Sequence, residues 1–348
     1  MEHVAIDIGG RESQICVRSA EGTILEETRC ATRSVGTFLA KRPRSRVVVE
    51  TCAEAFAIAD SGRAAGHDVA VVPAMLVRSL GVGQRGLKTD VRDARNLSVA
   101  SCRMPELPSV HVPSMEARVR KSLCGMREGL VGARTALINT VRGWLRGQAL
   151  GQPRGGQTAT FARRLREHLN GRQVCTPAFV ERQLVAIEHL TVQIVEADKE
   201  LGKLAEADEV CRRLMTVPGV GPLVSVRFAA ALDEVKRFDS AHELESYLGL
   251  TPGEHSSSES QQRTSITKAG SKQVRWTLVQ AAWVFRRTAR SHPAGLWAQE
   301  VEARRGKRIA AIALARKLAG ILFAIWRDGT TYNPIQMSRR PSKSSAQP

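Results

Sequence analysis

The chain opens on short apolar runs broken by polar positions at a spacing of two. HVAIDIG from His3 is rich in β-forming residues, SQICVRSA alternates, and the Glu21-Gly22 turn leads into TILEETRCAT, so this opening predicts three strands in a meander. The period then lengthens. SVGTFLAKR predicts a short helix, RVVVET a buried strand, AEAFAIADSGRAAG a helix ending at Gly66, and DVAVVP a strand stopped by Pro73. A further helical stretch follows, and the order becomes βββαβαβα.

That order matches the α/β ribonuclease H-like (RuvC-like) fold, in which a meander and two crossover strands make a mixed sheet with helices on both faces. From about Ser114 to Arg213 the pattern is helical in two long segments, EARVRKSLCGMREGLVGARTALINTVRGWLRGQAL and PAFVERQLVAIEHLTVQIVEADKELGKLAEADEVCRRLM, with GQPRGG between them. Leu184, Ile187, Leu190, Ile194, Leu201 and Leu204 recur at three- and four-residue spacing, which predicts a helical hairpin or coiled coil. The stretch VPGVGPLVSVRFAAAL then resembles a helix-hairpin-helix turn, whose amides can meet a phosphate, although the same glycines also cap helices. GLTPGEHSSSES follows, with two helices after it, SKQVRWTLVQAAWVFRRTARSHP and KRIAAIALARKLAGILFAIWRDG, apolar on one face and arginine-studded at the rim. The expected division is an α/β domain over 1–110, a helical hairpin over 111–210, a mainly α-helical domain over 211–335, and a disordered basic tail over 336–348.

Charge narrows the choice of partner. Lys and Arg number 52 against 34 Asp and Glu, giving a net charge of +18, and residues 260–348 supply +14 of it. A polyanion is the expected partner. With aromatic residues at only 4%, phosphate contacts by Arg and Lys are expected to outweigh base stacking. The seven cysteines show no CxxC pair and no histidine at zinc spacing, which fits a reduced, cytoplasmic chain without a structural metal. The start MEHVAIDIGG does not read as a signal peptide, and no apolar run reaches the ~18 residues of a membrane span, so no membrane partner is expected.

Four carboxylates are oddly placed. Asp7 interrupts an apolar strand, Glu50 ends another, and Asp90 and Asp93 stand three apart in KTDVRDA. An unpaired carboxylate on such strands is expensive to bury. If the first and fourth strands are neighbours, Asp7 and Glu50 project side by side, while Asp90 and Asp93 share a helix face. Any one of these acids alone reads as a cap or a solvated strand end. Together they suit a pair of Mg²⁺ ions about 4 Å apart, as in phosphodiester enzymes. DIGG after a strand also resembles the first phosphate loop of sugar kinases and actin-like ATPases, but no second Gly-rich phosphate loop follows a strand in the C-terminal half. The serine stretch is open on its residues alone: a linker and a nucleophile-bearing loop fit equally, and His255 reads as a general base or as a surface residue.

The set AIDIG, VVVETCA, the segment Lys88 to Ala94, RTALINTVRGWL, VPGVGP, LGLTPGEHSS and ITKAGSKQVR, in that order, resembles the DEDD transposases of the insertion sequence 110 family, relatives of the pilin-gene invertases. The resemblance runs from residue 4 to about 330. It implies a recombinase with a RuvC-like domain, a coiled-coil insertion and a serine transposase domain, guided to double-stranded donor and target DNA by a noncoding bridge RNA. It also implies a homo-oligomer, dimer or tetramer, working in the cytoplasm at the nucleoid. Asp7, Glu50, Asp90 and Asp93 fall on the family's Mg²⁺-binding acids. The family's serine pair places the nucleophile at Ser257, although Ser258 and Glu259 stand where glycines are usual, leaving Ser256 and Ser258 as neighbouring candidates. Lys268 and Arg275 match the basic positions that follow; with Lys272, Arg286 and Arg287 they are the expected nucleic-acid contacts. Two other functions fit parts of the pattern: a Holliday-junction resolvase, which needs the acids but no serine, and a non-enzymatic nucleic-acid-binding protein.

Overall fold

The computed structural model describes residues 1–75, 89–155, 158–257 and 260–334, with side chains throughout these except at 255–263. Lys88, Ser258 and the expected tail over 336–348 lie outside the described residues. The chain divides into two compact units, Met1–Pro113 and Ser114–Pro348.

Unit 1 is built on five strands, β1 (His3–Ile8), β2 (Glu12–Arg18), β3 (Ile24–Ala31), β4 (Arg46–Glu50) and β5 (Asp68–Val72), in the order β3-β2-β1-β4-β5. The first three run antiparallel, and β4 and β5 are parallel to β1, so the first and fourth strands are neighbours as expected. Strand alternation sorts the side chains. Val4, Ile6, Val47 and Val49 join one core with α1 (Val35–Ala40) and α2 (Ala55–Ala64), while Ala5, Val48 and Val72 pack on the other face against α3 (Asp90–Arg103) through Leu97 and Ala100. The turn after β1 is tight. A Cβ at Gly9 would lie 2.3 Å from the Glu12 carbonyl, and the Gly9 carbonyl accepts from Thr32 Oγ1 at 2.6 Å. Gly9 of DIGG is thereby accounted for by chain geometry, whereas a Cβ on Gly10 would meet nothing. His67, buried at 6% exposure, accepts from the Ser45 N–H through Nδ1 and donates from Nε2 to the Leu39 carbonyl, a structural role.

In unit 2 the two long helices are α4 (Met115–Gly147) and α6 (Ala178–Ala207). Arg120 pairs with Asp208, Arg127 with Asp198 at 2.8 Å, and Arg134 reaches Thr191 at 3.3 Å, so rising numbers on one helix meet falling numbers on the other: an antiparallel hairpin. The sequence missed α5 (Phe161–Asn170), which folds over the hairpin's turn and buries Phe161, Leu165 and Leu169 against Ile138, Val141 and Leu184. Arg166 on α5 grips Glu181 and Glu188 of α6 at 2.6 Å each. The second long segment breaks at Asp208, which caps α7 (Glu209–Leu214).

Beyond the turn, α8 (Pro222–Leu232), α9 (Ala241–Tyr247), α10 (Lys272–Thr288), α11 (Pro293–Arg305) and α12 (Lys307–Asp328) share one core with α7. Arg227 on α8 is buried at 5% exposure and ties three helices, donating to Glu128 of α4 and Thr277 of α10 at 2.6 Å each. In the helix-hairpin-helix-like turn, a Cβ on Gly219 (φ +83°) would come within 2.6 Å of the Ala281 carbonyl, so this glycine lets the turn press on the α10 backbone. The expectation of no membrane-length apolar run needs correction. α12 is long and apolar enough to cross a membrane, and Leu314, Leu318, Leu322 and Phe323 along it instead fill the core of unit 2. The segments PGEHSS and SQQRTSI, expected to be loop, pair as an antiparallel hairpin, β6 (Pro252–Ser257) and β7 (Ser260–Ile266).

Candidate functional site

The acids of unit 1 are brought together by register. Asp7 stands two residues beyond Ala5 and Glu50 two beyond Val48, so both project from the face that α3 covers. The direction of α3 follows from its bonds. His3 Nδ1 lies 2.8 Å from Ser101 Oγ, and Arg46 donates to the carbonyls of Ser101 and Met104 at 3.3 and 3.0 Å, so the end of α3 sits over the beginnings of β1 and β4. Asp93 is eight residues back from Ser101, about 12 Å along a helix. Asp7 and Glu50 each lie four residues on from His3 and Arg46, about 13 Å along a strand. The three carboxylates therefore stand at one end of one face.

Asp93 is the most telling of them. It is only 6% exposed, it occupies the stripe of α3 that continues through Leu97, and its carboxylate has no hydrogen-bond or ion-pair partner among the described residues. A carboxylate without a described partner on that face is available to a cation. Asp90 lies a turn earlier on the same stripe and is exposed, at the first position of a helix whose end is held by the Thr89 side chain accepting from the Arg92 N–H. Asp7 and Glu50 are half-buried and engaged by neighbours. Among the described residues no three His, Cys, Asp or Glu side chains already converge as a ligand shell. The donor set is nonetheless all hard oxygen, which suits Mg²⁺ and not a soft metal.

In unit 2 the serine stretch occupies the far end of the β6–β7 hairpin, where Ser257 pairs with Ser260 and Ser256 with Gln261. Its base is clamped by close backbone contact. A Cβ on Gly249 (φ +67°) would lie 2.2 Å from the Ala269 carbonyl, and one on Gly270 (φ +66°) 2.2 Å from the Tyr247 carbonyl. Arg275 reaches across this base and donates to the carbonyls of Leu248 at 3.2 Å, Gly270 at 3.1 Å and Ala269. Its guanidinium is thus spent on the hairpin, although its position had suggested a nucleic-acid contact. Arg286 is likewise engaged, by Glu302 and the Lys307 carbonyl. Lys268, Lys272 and Arg287 are exposed.

Both families that the chain matches are described as transposases. Residues 4–148 match the DEDD transposase family of IS110 elements, and residues 211–295 match the family described as transposase IS116/IS110/IS902. The chain is 30% identical to a putative transposase of Sinorhizobium fredii over 92% of its own length and 82% of the relative's, and 30% identical to a probable family 20 transposase of Pseudomonas aeruginosa over 85% and 88%. To the transposase for insertion sequence element IS1328 of Yersinia enterocolitica it is 27% identical over 95% and 98%. The chain belongs to the IS116/IS110/IS902 family of transposases, enzymes that cleave DNA strands and transfer them.

Proposed function

We propose that this transposase carries two catalytic elements: a RuvC-like, ribonuclease H-like unit 1 whose Asp7, Glu50, Asp90 and Asp93 bind two Mg²⁺ ions, and a unit 2 whose Ser257 is the nucleophile. The observation that carries the acidic half is Asp93, buried without a described partner and level with Asp7 and Glu50. When bound, the divalent ions would neutralise charge on the scissile phosphate and stabilise the entering and leaving oxygens. The chain's own groups do the rest. Asp93 and its neighbours hold the positive charge in place, and the clamped hairpin presents the serine. Ser257 Oγ gives its proton to a base on its own strand, His255 or Glu254, and bonds to phosphorus while the P–O bond to one strand end breaks and the base passes the proton to the leaving oxygen. A hydroxyl from the exchanging strand then attacks the phosphoserine and returns the proton to Oγ. One phosphodiester is broken and one formed, so exchange runs without an external energy source.

The +14 carried by residues 260–348 supports double-stranded donor and target DNA as partners, and a noncoding bridge RNA as the guide. The α4–α6 hairpin is read as a coiled-coil brace in a homo-oligomer, dimer or tetramer, acting at the nucleoid. In a strand-exchange assay with Mg²⁺, Asp7→Asn, Asp93→Asn and Ser257→Ala each reduce product by at least about a hundredfold. A protein–DNA adduct that survives denaturation is lost in Ser257→Ala. An adduct persisting in that variant moves the nucleophile to Ser256 or Ser258, and hydrolysed ends with no adduct in the unaltered protein point to a resolvase-like nuclease.

A further inference from the structure

The low aromatic content hides a local concentration. The protein has five tryptophans, and two of them, Trp276 and Trp283, are exposed at 52% and 38% on one helix, α10. They are seven residues apart, so they lie within about 20° of each other on the helix surface and about 10.5 Å apart along it. Gln273, Trp276, Gln280, Trp283 and Arg287 form the exposed stripe at three- and four-residue intervals, opposite a face that buries Val274, Leu278, Ala281 and Phe285. The stripe leads into a groove of about 670 Å³ between α10, α11 and the start of α12, lined by Trp283, Arg287, Arg290, Gln299 and Lys307. Among the described residues Arg287, Arg290 and Lys307 have no acidic partner, while Arg286 lies 4.8 Å over the Trp283 ring and is anchored by Glu302.

Each part of this surface has a use for nucleic acid. Exposed indoles cost free energy in water, and a base stacked on one covers it without regard to sequence. Two indoles rooted about 10.5 Å apart along the helix match about three steps of a stacked strand at 3.4 Å per nucleotide, so one short run can reach both. The glutamines between and beside them can bond base edges that only an unpaired strand exposes. The unpaired cations of the groove take the backbone beyond. A duplex offers its bases only as groove edges, which leaves the indoles without a flat partner.

We propose that the Trp276–Trp283 stripe and the adjoining cationic groove form a binding site for unpaired DNA, holding the strand that is parted from its complement during cleavage and transfer. Strand transfer makes such DNA at this protein, which is why DNA and not another polyanion is the occupant. The inference rests on the family's DNA chemistry and not on the assignment of Asp7, Asp93 or Ser257, so the adduct experiment and this one can fail independently.

The test uses the full-length chain, a fluorescein-labelled 20-nucleotide DNA, its duplex and the RNA of the same sequence, at one fixed salt concentration. Trp276→Ala and Trp283→Ala each weaken single-stranded DNA binding about tenfold and leave the duplex within about twofold; Trp283→Phe, which keeps a ring, retains most of the affinity. Arg290→Ala weakens the same strand and lowers the salt slope by about one unit. Equal losses on duplex and single strand overturn the proposal, as does an equal or larger effect on the RNA. Unchanged DNA binding in the tryptophan variants, with a fall in mass by light scattering, overturns it in favour of contact with a second copy of the chain. Near-native circular dichroism is required of every variant, and Trp283→Phe keeps the question decidable if an alanine variant unfolds.

Discussion

Asp208 serves two partners at once. Its carboxylate accepts from the Cys211 N–H at 2.7 Å, capping α7, and pairs with Arg120 of α4, which also holds Glu116 at 2.5 Å. Burial pushes the Asp208 carboxyl up, but the Cys211 amide and the Arg120 guanidinium outweigh it and hold it below the usual range. Because the folded state binds the proton less readily than the unfolded chain, the stabilisation is full above pH ~4 and is lost as pH falls through the depressed value. Asp208→Asn keeps an acceptor for the cap and removes the charge. Its expected cost is about 2 kcal/mol at pH 7 and shrinks steadily as pH falls below about 4, as thermal melts across that range would read. A difference constant across that range would mean that the ion pair contributes nothing. Cys211, beside it, is pushed up to about 12 by burial first and by Asp208 second, which makes it an inert core thiol.

At the scale of elements, the β6–β7 hairpin holds the candidate nucleophile yet left little trace in the sequence. Its strands carry Ser, Gln, Glu, His and Arg with no apolar alternation, and Pro252-Gly253 reads as a turn. What fixes it is backbone pairing and the clamp at its base, and such contacts are invisible to hydrophobic patterning. The clamp predicts a separation of roles. Lysine can donate from one point but cannot span three carbonyls, so Arg275→Lys loosens the hairpin. Amides of β6 and β7 then exchange faster with deuterium and strand exchange falls at least tenfold, while duplex DNA affinity stays within about twofold. A large fall in affinity with unchanged amide protection would return Arg275 to the nucleic-acid contacts. α5 and α11 are obscured for another reason: α5 follows the Gly-rich GQPRGG stretch and α11 follows only the short link over 289–292, although Pro293 at the first helical position and Gly306 at the end (φ +82°) are themselves boundary signals.

For the whole molecule, the pattern carried the first unit almost entirely. Buried strands such as VVV leave unmistakable apolar runs, and an Asp inside one of them, Asp7, advertises itself because only a partner or a cation can justify it. Asp93 was found by its spacing, but its burial depends on which side of α3 meets the sheet, and that only the fold supplies. The exposed tryptophans leave no mark on a chain-wide percentage, which averages over position. The sheet itself carries one more consequence, which concerns how the protein fails. A five-stranded sheet has two open rims, and an open rim recruits strands from other molecules. On one side the Val110 N–H bonds the Val71 carbonyl at 2.8 Å and so occupies part of the β5 rim. On the other, β3 carries the exposed Glu26, Glu27 and Arg29, whose charges resist a flat, dry zipper, beside the exposed apolar Ile24 and Leu25. Replacing Glu26 and Arg29 together by Val would leave the core untouched and leave Glu27 as the one charge on the β3 strand. That variant should form thioflavin-positive aggregates at concentrations where the parent stays clear; if it does not, the rim is protected by something other than charge. Two acids and an arginine on an edge strand thus act as protection against the protein's own copies.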